Sequence, residues 1–172
     1  FITEISGILE ELDCSTCENL TEKAFLRMTE LSLPKMRHLE LPIMNQYTDH
    51  LYPLLATACP NLEVCENITG NDSGTCSPLR CQSLFPKLKV LYDKPMSNYG
   101  RIRMPLSTDG RLKRQKWLDD LKHLSNVCPS VETYRCRRAL NYMVDEHVEA
   151  VAKMFPNLTA IDFYYCSLGD FG

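Results

Sequence analysis

The sequence predicts an α/β solenoid of about six strand–helix units, with a parallel sheet lining a concave face. Three observations predict it. A proline-centred phrase recurs along the 172 residues at a nearly constant step. Each copy carries the apolar spacing of a turn leading into a short strand. Helical apolar patterns fill the intervals between copies.

The phrase reads Leu33-Pro34-Lys35-Met36-Arg37-His38-Leu39-Glu40-Leu41. It returns from Cys59-Pro60, Phe85-Pro86, Cys128-Pro129 and Phe155-Pro156, and a copy without proline runs from Gly7 to Cys14. Counting Gly7 with the prolines, the steps are 27, 26, 26, 43 and 27 residues. Four of them fall within the roughly 20–29 residues of a leucine-rich unit. The long step is one unit plus an insertion at about 94–112, so the chain reads as one repeat domain over 1–172. Alternate strand residues face opposite sides, so Leu39 and Leu41 should point inward while Arg37, His38 and Glu40 stay exposed. The proline fixes its own φ and ends the helix before it.

The helices follow the same logic. Leu51, Leu54, Leu55 and Ala58 give one apolar face after Thr48 and Asp49, which suit a helix start. Val148, Val151, Ala152 and Phe155 repeat that face after Asp145 and Glu146. Trp117, Leu118, Leu121 and Leu124 form a third, and residues from Thr21 to Met28 a fourth. One unit cannot bury both its strand and its helix; stacked units share a continuous core. Right-handed crossovers then set the sheet on one side and the helices on the other.

Composition fits a folded chain, at 44% apolar and 24% charged residues. A net charge of −3 gives no general attraction to nucleic acid or acidic membranes. No apolar run approaches the ~20 residues of a membrane span. The chain starts at Phe1 without a methionine and stops at Gly172 inside a further helix start, with no polar cap at either end. A fragment flanked by more chain, or by a covering partner, is the expectation.

The pattern resembles the cysteine-containing subclass of leucine-rich repeats. Leu9, Leu12, Cys14 and Cys17 match it, followed by Leu20-Thr21-Glu22. Met36, Leu39, Leu41 and Met44 match next, followed by Tyr47-Thr48-Asp49 and the closing Cys59-Pro60. Leu158, Ile161, Phe163 and Cys166 match last, followed by Leu168-Gly169-Asp170. In this register Cys17 and Cys166 take the ladder position, Cys59 and Cys128 the pre-proline position, and Cys14, Cys65 and Cys136 the strand. The ladder and pre-proline cysteines, and part of the strand set, should be interior and reduced, as in a cytoplasmic or nuclear protein. The chain is most similar to the repeat domain of the F-box/leucine-rich-repeat proteins. That resemblance implies substrate recognition for an SCF (cullin) ubiquitin ligase, with the adaptor held by a separate F-box that is not visible here. A repeat scaffold in another intracellular assembly and a secreted or receptor ectodomain are the alternatives.

Motifs for chemistry are weak. Cys14-x-x-Cys17 has the form of a zinc or redox half-site, but no second pair of matching spacing follows. Cys65, Cys76 and Cys81 cluster loosely without a nearby histidine. Sequons at Asn19, Asn67, Asn71 and Asn157 read as chance occurrences, Asn157 standing at a strand start. His38, His50, His123 and His147 fall on different units, with only His38 on the concave face, and no glycine-rich phosphate loop is present. No enzyme and no cofactor are expected, and nothing indicates a small-molecule ligand.

The expected site is therefore a protein-binding face. The concave positions are Glu10, Glu11 and Asp13; Arg37, His38 and Glu40; Glu63, Val64 and Glu66; Lys89, Val90 and Tyr92; Glu132, Thr133 and Arg135; Thr159, Ala160, Asp162 and Tyr164. Within them, Arg37, His38, Glu40, Glu63, Glu66, Lys89, Tyr92, Glu132, Arg135, Asp162 and Tyr164 are candidate partner contacts. Arg101 and Arg103 join them from the basic insertion, which reads either as a solvated loop or as a clamp over the face. Tyr92 and Tyr164 are the candidate anchors, since aromatic residues, like arginine, are favoured at hot spots.

Overall fold

The computed structural model describes residues 2–17, 20–42, 51–66, 77–93, 108–137 and 145–164. They form an α/β arrangement around one six-stranded sheet whose strands are all parallel and follow chain order. The strands are β1 (Glu11–Asp13), β2 (His38–Glu40), β3 (Val64–Glu66), β4 (Val90–Asp93), β5 (Thr133–Arg137) and β6 (Ala160–Tyr164). The helices are α1 (Ile2–Ile5), α2 (Glu22–Thr29), α3 (Leu51–Ala58), α4 (Pro78–Gln82), α5 (Thr108–Val127) and α6 (Asp145–Met154). Among the described residues, no helix is long and apolar enough to cross a membrane.

The recurring phrase has a definite hydrogen-bond logic. The residue before each proline ends the preceding segment and opens a turn. Its carbonyl accepts from the N–H three residues on: Met36 to Leu33 (3.1 Å), Leu62 to Cys59 (3.3 Å), Leu88 to Phe85 (3.1 Å), Val131 to Cys128 (3.4 Å) and Leu158 to Phe155 (3.1 Å). Proline thus stands at the second turn position, where its fixed φ is already correct. The N–H of Cys59, Phe85, Cys128 and Phe155 bonds back to the helix behind it, as with Cys59 on Leu55 (2.8 Å) and Cys128 on Leu124 (2.7 Å), whereas that of Leu33 donates to Ala58 O of the next unit at 2.8 Å. In those four units one residue serves helix and turn together, and Leu33, Cys59, Phe85, Cys128 and Phe155 are all buried.

Beyond the turn, one carbonyl per unit accepts two N–H groups from the next unit. Glu10 O accepts from Arg37 and His38, Arg37 O from Glu63 and Val64, and Glu63 O from Lys89 and Val90. Lys89 O then accepts from Glu132 and Thr133, and Glu132 O from Thr159 and Ala160. This ladder crosses every junction, including the one that carries the insertion.

Burial separates the two sheet faces. Leu39, Cys65, Leu91 and Tyr134 are buried at successive central strand positions. They join Phe25, Leu55, Leu121 and Val151 of the helices in one core cluster, so the helices cover a single face. Thr21 caps α2, accepting from Ala24 N at 3.3 Å, and Ser77 caps α4, accepting from Arg80 N at 3.2 Å.

Several expectations need correction. Leu54 is 44% exposed, and Tyr52 is buried in its place. The buried arc of α3 runs through Leu51, Tyr52, Leu55 and Ala58, and Leu54 lies about 40° beyond its Ala58 edge. Ala152 is likewise exposed, while Val151 and Phe155 hold the core face of α6. Cys17 is exposed rather than interior. Its N–H closes a turn on Cys14 O at 2.9 Å, and the inward role falls to Cys14, whose thiol donates to Glu40 O at 3.1 Å. Helix α5 begins at Thr108, inside the stretch expected as inserted loop. Helices α1 and α4 have no counterpart in the periodicity reading, being too short to show a period. The expected starts at Thr48 and Asp49 lie outside the described residues.

Candidate functional site

The register arranges in rows the sheet face that, among the described residues, no helix covers. One follows the shared-carbonyl ladder: Glu10, Arg37, Glu63, Lys89, Glu132 and Thr159. The next holds Glu11, His38, Val64, Val90, Thr133 and Ala160. The third begins Asp13, Glu40, Glu66 and resumes as Tyr92, Arg135, Asp162. Two charged rows therefore flank a central one whose middle is apolar. The second and third rows lie two residues apart along each strand and share one face, as alternation requires, while the first row stands one residue before the second, at the turn that leads into the strand.

The first row is internally paired. Glu63 accepts Lys89 Nζ at 3.0 Å and lies 3.8 Å from Arg37 Nε. The third row holds a tighter knot. Arg135 Nη1 donates to Tyr92 Oη at 2.5 Å and to Glu66 Oε1 at 3.4 Å, and its Nε donates to Asp162 Oδ2 at 3.1 Å. Tyr92 Oη donates to the same Glu66 oxygen. The guanidinium also lies 5.5 Å from the Tyr92 ring centre, within cation–π range. Burial, and then the hydrogen bond to Glu66, push the Tyr92 phenol up, so it stays a donor at neutral pH. Four strands, β3 to β6, thus present one fixed aromatic–guanidinium platform.

Behind this platform stand residues that the sequence reading missed. The Gln82 amide accepts from Tyr92 N at 2.9 Å and donates to Tyr92 O at 2.5 Å. A side chain from α4 takes both main-chain groups of Tyr92, and the β3–β4 register correspondingly reduces to the pair Val64 and Val90. Asp93 is buried and accepts Tyr134 Oη at 2.6 Å and Trp117 Nε1 at 2.9 Å on one oxygen. Burial pushes its carboxyl above the usual range, partly offset by those two donors. Asp120 accepts Ser77 Oγ at 2.7 Å and Arg80 Nε at 2.6 Å, tying α5 to the start of α4. These polar residues lie on element faces that periodicity treats as neutral, and only their partners across the fold reveal them.

A second ladder runs along the turns. Asn61 Nδ2 donates to Pro34 O at 2.6 Å, Asn157 Nδ2 to Pro129 O at 2.9 Å, and Lys87 Nζ to Asn61 Oδ1. The residue after Pro60, Pro86 and Pro156 thus reaches back one unit. The sequon at Asn157 thus carries an amide engaged in a structural bond.

The chemistry this face can support is limited. Ligand atoms of His38, Glu40 and Glu66 lie within 4.8 Å of one another. A neighbouring-strand spacing of about 4.8 Å produces such proximity by itself. Glu66 is also engaged by Tyr92 and Arg135, so a cation there would compete with a guanidinium already in place. Among the described residues, Cys14, Cys17, Cys59, Cys65 and Cys128 are free thiols. Burial pushes Cys14 up to about 11, and Cys59 and Cys128 each to about 12, the opposite of an activated nucleophile. Arg101 and Arg103 lie outside the described residues. Tyr164 ends β6 in register with Arg137.

Compared with protein-family models the chain matches none, and no curated protein matches it either.

Proposed function

We propose that the strand–helix units stack as a leucine-rich-repeat solenoid with the uncovered sheet face concave, and that this face binds a protein partner. The observation that carries the reading is the Tyr92–Arg135 platform, held by Glu66 and Asp162 on a sheet whose opposite face is filled by core. A preorganised aromatic and arginine pair loses little side-chain freedom on binding, which favours it as an anchor. The cysteine positions and proline closures support the likeness to F-box/leucine-rich-repeat proteins. On that likeness the chain is the substrate-recognition part of an SCF ubiquitin ligase inside the cell. No bond-making residues are needed for this role.

The test is to isolate the full-length protein from its native cells and assay for the SCF adaptor. Stoichiometric adaptor supports a degradation receptor. Absence of the adaptor alongside other stably bound proteins sinks the ubiquitin reading and leaves an intracellular scaffold.

A further inference from the structure

The turn that follows β1 carries two free thiols in different surroundings. Cys14 is buried, and its thiol donates to Glu40 O at 3.1 Å. Cys17 is exposed, although the repeat pattern would turn it inward. Two hydrogen bonds fix the backbone between them. Cys17 N donates to Cys14 O at 2.9 Å, and Ser15 N donates to Asp13 Oδ1 at 2.8 Å. The first and fourth residues of such a turn have Cα atoms within about 7 Å of each other. A disulfide spans Cα separations of about 4.4–6.8 Å. The backbone therefore already holds the two cysteines at bridging range. Cys59, Cys65 and Cys128 are free but buried, so an oxidant meets Cys17 before any of them.

We propose that Cys14 and Cys17 are a modification site that forms a reversible disulfide by exchange with a small-molecule disulfide of the glutathione class. Cys17 gives up its proton and its sulfur attacks one sulfur of the small disulfide. That S–S bond breaks, a mixed disulfide forms on Cys17, and one small thiolate leaves and is protonated. Cys14 then gives up its proton and attacks the Cys17 sulfur. The mixed disulfide breaks, the Cys14–Cys17 bond forms, and the second small thiol leaves. The protein loses two electrons and two protons, and one small disulfide becomes two small thiols. Excess small thiol reverses both steps. The effect on the fold falls at the β1–β2 junction, because oxidised Cys14 has no S–H to give Glu40 O. This inference goes beyond partner recognition and does not depend on it.

The surroundings also set the order of the steps. Burial first, and then Cys17, Asp13 and Glu40, push the Cys14 thiol up to about 11. Little of it is thiolate at neutral pH, so closure by Cys14 is the slow step and base accelerates it.

The test incubates the reduced full chain with oxidised glutathione at about pH 7 and at about pH 9. Samples are quenched in acid over time, their remaining thiols are alkylated, and the peptides are mapped by mass. The expected sequence is a glutathione adduct on Cys17, followed by loss of two hydrogens from the peptide that carries both cysteines. Closure should quicken about tenfold per pH unit, following the Cys14 thiolate. Cys14→Ser should stop at the Cys17 adduct, and Cys17→Ser should take up no glutathione at Cys14 over the same time. The map of the parent decides the matter even if a variant fails to fold. A Cys17 adduct that persists in the parent without closing overturns the proposal. So does a bridge from Cys17 to any other cysteine, or a Cys17 that stays unmodified.

Discussion

The two halves of the sheet are built from one repeat yet solve different problems. Strands β1, β2 and β3 are three residues each, and their uncovered side is mostly acidic. Strands β4, β5 and β6 have four, five and five residues, with a balanced uncovered side and buried polar bonds behind it. The seam between the halves is where Gln82 stands in for a neighbouring strand at Tyr92. The first half is held by apolar packing and the shared-carbonyl ladder. The second adds a cross-fold network through Asp93, Trp117 and Tyr134. The difference teaches that a repeat can keep its main-chain bonding while side-chain chemistry divides it into a charged patch and a braced platform.

The sharpest way to break this comparison is at the seam. Gln82→Ala leaves the N–H and C=O of Tyr92 without the amide, and should cost about 2–3 kcal/mol, since each unsatisfied group costs about 1–3 kcal/mol. Hydrogen exchange should accelerate at Tyr92, and the denaturation curve should broaden or split if the halves are coupled mainly there. A variant with parental stability and exchange would show that the seam relies on the ladder alone.

Asp93→Ala should cost about 2 kcal/mol by stranding the Tyr134 hydroxyl, which is 1% exposed. Asp93→Asn gives a pH test with a definite sign. The folded-state pKa of Asp93 lies above its unfolded value, so folding favours the protonated form. Its contribution is fully present below about pH 3.9 and is lost as pH rises through the folded pKa. The stability of the parent relative to Asp93→Asn should therefore increase as pH falls from neutrality. A difference that shrinks on acidification would mean the carboxylate, not the acid, is the form the core prefers.

Smaller effects should separate the two rows of cations. Arg135→Ala should destabilise by about 1 kcal/mol, a value discounted because its side chain is one-third exposed. Arg37→Ala should change stability by less than about 0.5 kcal/mol, its side chain being 63% exposed and its ion pair long. Equal effects from chemical denaturation would remove the distinction between platform and solvated rim. The smallest perturbation is thiol labelling of the native protein. Exposed Cys17 should react well before Cys14, Cys59 or Cys128, whose burial raises their pKa values.

How much was legible in the sequence can be judged from particular residues. The strand phrase placed Leu39 inward and His38 and Glu40 outward, because period two is a local fact, and it left Arg37 exposed just before the strand, next to the turn proline. The grouping of Glu66, Tyr92, Arg135 and Asp162 on one face followed from the same register. Their bonding did not follow, since hydrogen bonds across 26 to 69 residues depend on how far each strand slides against its neighbour. Leu54 and Cys17 show the limit at the level of burial. Spacings three and four apart leave the centre of a helix face uncertain by a residue, and a ladder position occupied by cysteine does not reveal which of two cysteines turns inward.

By itself, then, the sequence determined the unit. Proline at the second turn position, the buried residue before it, and the apolar alternation after it specify turn, strand and chain-order stacking through bonds within one unit or to the next. Only the tertiary structure decided which polar side chains act across units. Gln82 on Tyr92, Asp93 beneath Trp117 and Tyr134, and Asp120 on Arg80 carry no periodic signal, because a buried polar group is defined by its partner and not by its own place in the chain.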